Sequence, residues 1–194
     1  MRYAVLLPLL AVVSGCGRRE ALPVLGQVPE FLLTDQQGNP FPRRALDGKV
    51  WVAEFFFTSC MGPCPRMNSQ FRKIQNETSD LAGIHLVSFT VDPGGDTPAA
   101  MTAYGKRFQA DPARWHFLTG PVEALDALCD KAFHLGRIDG ENFEHSTRFV
   151  LVDRQARIRG YYDSSEPESI QTLLRDLRGL TAASGAQAAV STPR

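Results

Sequence analysis

The chain has 194 residues, 43% of them hydrophobic, which is enough for one sizeable core and leaves little room for a second domain. Its 21 basic and 21 acidic side chains cancel, with no long run of either sign, so no nucleic acid partner is expected. The local basic groupings, Arg43-Arg44 and Arg154, Arg157 and Arg159, read as solvated faces.

The first fifteen residues read as an export signal, with Arg2 as the positive start, Ala4 to Val13 mostly apolar, and Ser14-Gly15 just before Cys16. The segment is too short to span a bilayer as a helix. Val13-Ser14-Gly15-Cys16 resembles a bacterial lipobox, which makes Cys16 the lipidated N-terminus of the mature chain. Several acyl chains together hold a protein firmly on a membrane. Such a chain is periplasmic or otherwise extracytoplasmic, anchored to a bacterial membrane. Residues 16–27 read as a tether, 28–180 as the folded domain and 181–194, small, polar and alanine-rich, as a disordered tail.

Val50 to Phe57 is an apolar run interrupted once, by Glu54, and its length suits a buried strand. Pro65, then Met67, Phe71 and Ile74, start a helix and give it an apolar stripe. Ile84 to Val91 is the next strand, so strand, helix and strand form a right-handed crossover with a parallel pair. Thr97-Pro98 opens a helix carrying Met101, Tyr104 and Phe108 inward. Trp115 to Leu118 is a short strand, and Pro121 to about Phe133 a helix with Val122, Leu125, Leu128, Cys129 and Ala132 on one side. Phe149 to Val152 and Arg157 to Tyr162 read as a hairpin. Ser165, Glu166 and Pro167 then cap a last helix with Ile170, Leu173, Leu174, Leu177 and Leu180 on its stripe. The whole predicts an α/β sandwich of thioredoxin type, a central mixed sheet flanked by helices.

Cys60 and Cys64 lie in the turn between the first core strand and its helix. Unpaired amides at a helix start favour negative charge, so a thiol there can ionise more readily than usual. A thiolate is both the nucleophile of disulfide exchange and a soft metal ligand. The three intervening residues, Met61-Gly62-Pro63, allow a disulfide and also allow both sulfurs to converge on one ion. Cys129, on the apolar side of a helix, reads as a small core residue. Met61 reads as a surface or packing side chain. Of four histidines, His85, His116 and His134 read as structural, whereas His145 lies in a polar segment just before a core strand, where sites are usually built.

Phe57-Thr58-Ser59-Cys60-Met61-Gly62-Pro63-Cys64-Pro65, followed by Thr90-Val91-Asp92-Pro93, Asp96-Thr97-Pro98, His145-Ser146-Thr147 and Phe149-Val150-Leu151-Val152-Asp153, resembles the ordered motifs of the Sco/SenC family. The resemblance runs from about Val28 to Leu180. It implies a thioredoxin-like, membrane-tethered protein that binds copper, as Cu(I) or Cu(II), through Cys60, Cys64 and His145. It also implies a role in delivering copper to the CuA subunit during cytochrome c oxidase assembly. The alternative is a thiol-disulfide reductase in which Cys60 and Cys64 are the redox pair and close as a disulfide. Thioredoxin-type oxidoreductases carry a cis-proline facing their cysteines, and the corresponding stretch here, His145 to Arg148, has no proline. The family often has proline and aspartate between its cysteines; Met61-Gly62-Pro63 alters the charge and stiffness of that loop.

Overall fold

The computed structural model describes residues 21–136 and 146–190, with 183–190 described by backbone alone. The chain runs through β1 (Gly26–Gln27), β2 (Leu32–Asp35), β3 (Pro40–Pro42), a 3-10 turn (Arg43–Leu46), β4 (Val50–Phe56), α1 (Cys64–Glu77) and β5 (Ile84–Thr90). It continues through α2 (Pro98–Arg107), β6 (Trp115–Thr119), α3 (Val122–Asp126) with a π-helical turn (Ala127–Ala132), β7 (Arg148–Val152), β8 (Arg157–Asp163) and α4 (Pro167–Val190).

All seven residues of β4 are buried. A strand covered on both faces reads as a continuous apolar run, and β4 accordingly lies inside a sheet of order β1-β8-β7-β4-β5-β6-β2-β3. β4, β5 and β6 are parallel neighbours, while β7 pairs antiparallel with β4 and with β8. The alternation of side chains divides the core in two. Val50, Val52 and Phe56 of β4 join Met67, Phe71 and Ile74 of α1, Met101 and Tyr104 of α2, and the Ile170 to Leu177 stripe of α4. Trp51, Ala53 and Phe55 face the other way, onto Leu125, Leu128, Cys129 and Phe133. The result is the helix, mixed sheet, helix sandwich that the patterning predicts.

Three local differences from the expected elements have physical causes. The N-terminal stretch carries three short strands that no apolar run announces, since β1 has two residues and β3 is Pro-Phe-Pro, a composition tolerated only at sheet edges. β1 and the β2–β3 hairpin occupy opposite ends of the sheet, so Val28 and Phe31, on the segment crossing between them, pack against one face. The Pro121 to Phe133 helix tightens into α3 and then widens into the π-helical turn, where Phe133 N–H reaches back to the Leu128 carbonyl. The last helix extends through the alanine-rich stretch to Val190, beyond the Leu180 boundary of the predicted domain, and most of the expected tail is therefore helical. Alanine has the best helix propensity. Residues 1–20, with the expected signal segment and Cys16, lie outside the described residues. Among the described residues no helix is long and apolar enough to cross a membrane.

Candidate functional site

The parallel strand β4 ends at Phe56 and the chain turns before α1 starts at Cys64. In that turn the Cys60 N–H donates to the Phe57 carbonyl at 3.3 Å. Cys64 is the first helical residue, Pro63 is the N-cap, and Pro65 occupies the first turn, where a missing N–H costs nothing. Cys60 is 7% exposed, Cys64 is fully buried, and Met61 between them is 98% exposed. Both cysteines are free thiols. Met61 thus packs on nothing, which selects the surface reading for it.

The two thiols share one buried cluster and act on each other. Burial pushes the Cys64 pKa far up, and a hydrogen bond shared with Cys60 pushes it further by keeping the proton on Cys64. A backbone hydrogen bond from Phe57 to the Cys64 sulfur opposes both. For this cysteine the expected ease of ionisation at a helix start is therefore reversed, because desolvation outweighs the backbone donor at Phe57.

A buried polar group lies behind the pair. Glu54, interrupting the apolar β4, is fully buried, and burial raises its pKa to about 8. Its Oε1 accepts from the Ser88 hydroxyl at 2.7 Å, and Ser88 in turn accepts from the Trp115 indole N–H at 2.9 Å. Its Oε2 has no hydrogen-bond partner among the described residues. On α1, Asn68 Nδ2 donates to the Cys64 carbonyl at 3.0 Å and to the Tyr104 hydroxyl at 3.2 Å. Charge on Glu54 acts on both Cys64 and Tyr104, raising both pKa values further. The sequence signal for Glu54 is a lone acid inside a run of apolar residues.

The other candidate residues separate cleanly. Cys129 sits 5% exposed in the core on the opposite face of the sheet, and burial raises its pKa to about 12, in keeping with a core role. His85 on β5 and His116 on β6 join Nδ1 to Nε2 at 3.0 Å, with ring planes 11° apart. Burial, with the nearby Lys49, lowers both to about 4, so they form a neutral structural pair. His134 is exposed at the end of the π-helical turn. His145 lies outside the described residues. Among the described residues no cluster of three His, Cys, Asp or Glu is placed to hold a metal ion. The donors fit copper in kind: two adjacent sulfurs are soft ligands of the type that copper prefers.

A family model described as SCO1/SenC matches residues 24–182. The SCO1 protein homolog of Bacillus subtilis (strain 168) is 25% identical over 172 residues, which cover 86% of this chain and 89% of that protein. The crystal structure of a SCO1/SenC family lipoprotein from Bacillus anthracis matches with a TM-score of 0.73 at 32% identity, over 80% of this chain and 95% of that one. Yeast Sco1 with copper bound matches with a TM-score of 0.62 at 25% identity, over 80% and 94% of the two chains.

Proposed function

The chain belongs to the SCO1/SenC family, and from that premise we propose that it is a membrane-anchored copper metallochaperone serving the CuA centre of cytochrome c oxidase. Its cargo is one copper ion, held as Cu(I) or Cu(II) by Cys60, Cys64 and His145 and passed to the oxidase subunit by ligand exchange. The observation that carries this reading is the pair of free, buried thiols gathered in one cluster at the start of α1, near enough to act on each other. Two sulfurs already adjacent can chelate a soft ion with little rearrangement. Two thiolates and one imidazole suit copper, whereas zinc seeks a fourth ligand.

Strand polarity supports His145 as the third ligand. β7 is antiparallel to β4, with Ala53 opposite Val150, so the Arg148 end of β7 lies toward the end of β4 from which the cysteine turn departs. His145 precedes Arg148 by three positions in the sequence. Copper titration of the reduced protein tests the assignment. One tight site is expected, lost in His145→Ala and retained in His116→Ala; equal affinity in His145→Ala and the native protein contradicts it.

The anchor is proposed at Cys16 from the lipobox-like sequence, with an extracytoplasmic location on a bacterial membrane. A relative matched over most of its length, the Bacillus anthracis protein, is a lipoprotein, which supports it. Mass spectrometry of the mature chain is expected to find an acyl adduct on Cys16, and its absence rejects the anchor.

The same thiol contact favours a second reading, a thiol-disulfide reductase acting on the cysteines of the oxidase subunit or of other exported proteins. Closing Cys60 and Cys64 as a disulfide needs only loss of the protons and two electrons to a partner disulfide. Reductase activity that survives His145→Ala, together with no measurable copper affinity, selects this reading.

A further inference from the structure

Asp96, between β5 and α2, is fully buried. Its carboxylate gathers three donors from two residues. The Thr58 N–H reaches Oδ1 at 3.1 Å and Oδ2 at 3.2 Å, the Thr58 hydroxyl reaches Oδ1 at 2.5 Å, and the Thr90 hydroxyl reaches Oδ2 at 2.5 Å. Asp96 is itself fixed. Its N–H donates to the Asp92 carbonyl at 2.9 Å, Thr90 Oγ1 also accepts from the Asp92 N–H at 2.9 Å, and Thr97 next to it caps α2.

The Thr58 N–H and the Phe57 carbonyl belong to one rigid peptide plane. Asp96 takes the N–H of that plane, and Cys60 donates its own N–H to the carbonyl. The preceding amide, Phe57 N–H, serves the Cys64 sulfur. A single turn of backbone therefore touches both cysteines, and Asp96 sets its orientation. Burying a carboxylate is a poor way to gain stability, because its desolvation offsets much of what its hydrogen bonds return. Fixing a direction is what a two-oxygen acceptor does well.

We propose that Asp96 is a positioning residue of the cysteine site, holding the Phe57–Thr58 peptide so that the Cys60 and Cys64 sulfurs meet at the separation from which they close, on each other or around one metal ion. The proposal rests on the dithiol reading of the site and is indifferent to which of the two chemistries follows. Its consequence is an effective concentration: two sulfurs held together close more readily than two on a loose loop.

The test is the equilibrium of the full chain with glutathione. Two protein thiols give up two electrons and two protons and form the Cys60–Cys64 disulfide, while one glutathione disulfide is reduced to two thiols. Asp96→Asn is expected to lower the constant for disulfide formation by at least about tenfold, equivalent to about 30 mV in potential. Thr58→Val, which removes only the hydroxyl bond to the same carboxylate, shifts the constant the same way by less, and Thr58→Ser rescues it. Asp153→Asn, which disturbs an ion-pair cluster at the β7–β8 turn, serves as the reference for lost stability alone and leaves the constant unmoved. An Asp96→Asn constant within about twofold of the native value, or an equal shift in Asp153→Asn, overturns the proposal. If Asp96→Asn does not fold, Thr58→Val decides on whether the constant shifts at all. A native protein without copper affinity removes the chaperone reading and leaves this measurement intact.

Discussion

Replacing Glu54 by Gln isolates the effect of one buried proton. Burial raises the Glu54 pKa from an ordinary 4.5 to about 8. Between those values the folded chain keeps a proton that the unfolded chain has released, so stability falls as pH rises, by about 1.4 kcal/mol per unit. His85 and His116 act in the opposite sense at lower pH. Their folded values of about 4 lie below the ordinary 6.5, so stability rises with pH through that interval. Above about pH 6.5 the histidine contribution is complete, and Glu54 alone among these three groups still acts. From about pH 6.5 to about pH 8 its contribution is a loss of roughly 2 kcal/mol. Gln keeps an acceptor for the Ser88 hydroxyl and cannot ionise. The amide it places where Oε2 has no partner among the described residues costs roughly 1–3 kcal/mol at every pH, a constant that cancels between the two conditions. Urea unfolding of the reduced native and Glu54→Gln proteins, at fixed ionic strength and at both pH values, reads the difference directly. All other titrating groups contribute alike to the two proteins. An equal loss of stability in Glu54→Gln across the interval refutes the reasoning.

The histidine pair predicts an acid-side loss. Unfolding below about pH 6.5 is accompanied by proton uptake at His85 and His116, and a His85→Phe, His116→Phe double variant has a correspondingly flatter pH profile in the same urea assay. At the β7–β8 turn, Asp153 accepts from Arg157 Nε at 2.8 Å and from Arg159 Nη1 at 2.7 Å. These bonds, with backbone N–H groups of Gln155 and Arg157, hold its pKa below the usual 3.8 against the opposing effect of burial. Its stabilisation is present above that value and disappears as the solution is acidified through the lower folded one. Asp153→Asn is expected to cost about 2 kcal/mol at neutral pH, less than for a wholly buried pair because Arg157 is partly exposed. On α2, a Cβ at Gly105 would lie 2.9 Å from Phe117 Cε2. Gly105→Ala is therefore expected to destabilise by about 1–3 kcal/mol in thermal or urea unfolding, against the gain that helix propensity alone predicts.

The elements that carry the site were legible because each has a strong local signature. β4 is long, apolar and bounded, α1 has its stripe and prolines, and α4 has its leucines. β1 and β3 have no such signature; backbone pairing with β8 and β2 makes them strands, and pairing partners are distant in sequence. The site divides the same way. The cysteine spacing and its place between strand and helix can be read locally. The roles of Glu54 and Asp96 cannot, since each depends on hydrogen bonds across 34 or 38 positions of chain, to Ser88 and to Thr58. The same holds for the Cys64 thiol, where the local argument from the helix start predicts easier ionisation and the surrounding core reverses it. Burial is a property of the assembled molecule.

X-ray absorption at the copper edge of the loaded, reduced protein examines directly whether two sulfurs and one imidazole share the copper ion. Two sulfur scatterers and one imidazole nitrogen are expected in the native protein, with the imidazole signature absent in His145→Ala and one sulfur fewer in Cys60→Ser. A native spectrum showing a single sulfur, or an imidazole signature unchanged in His145→Ala, contradicts the assignment.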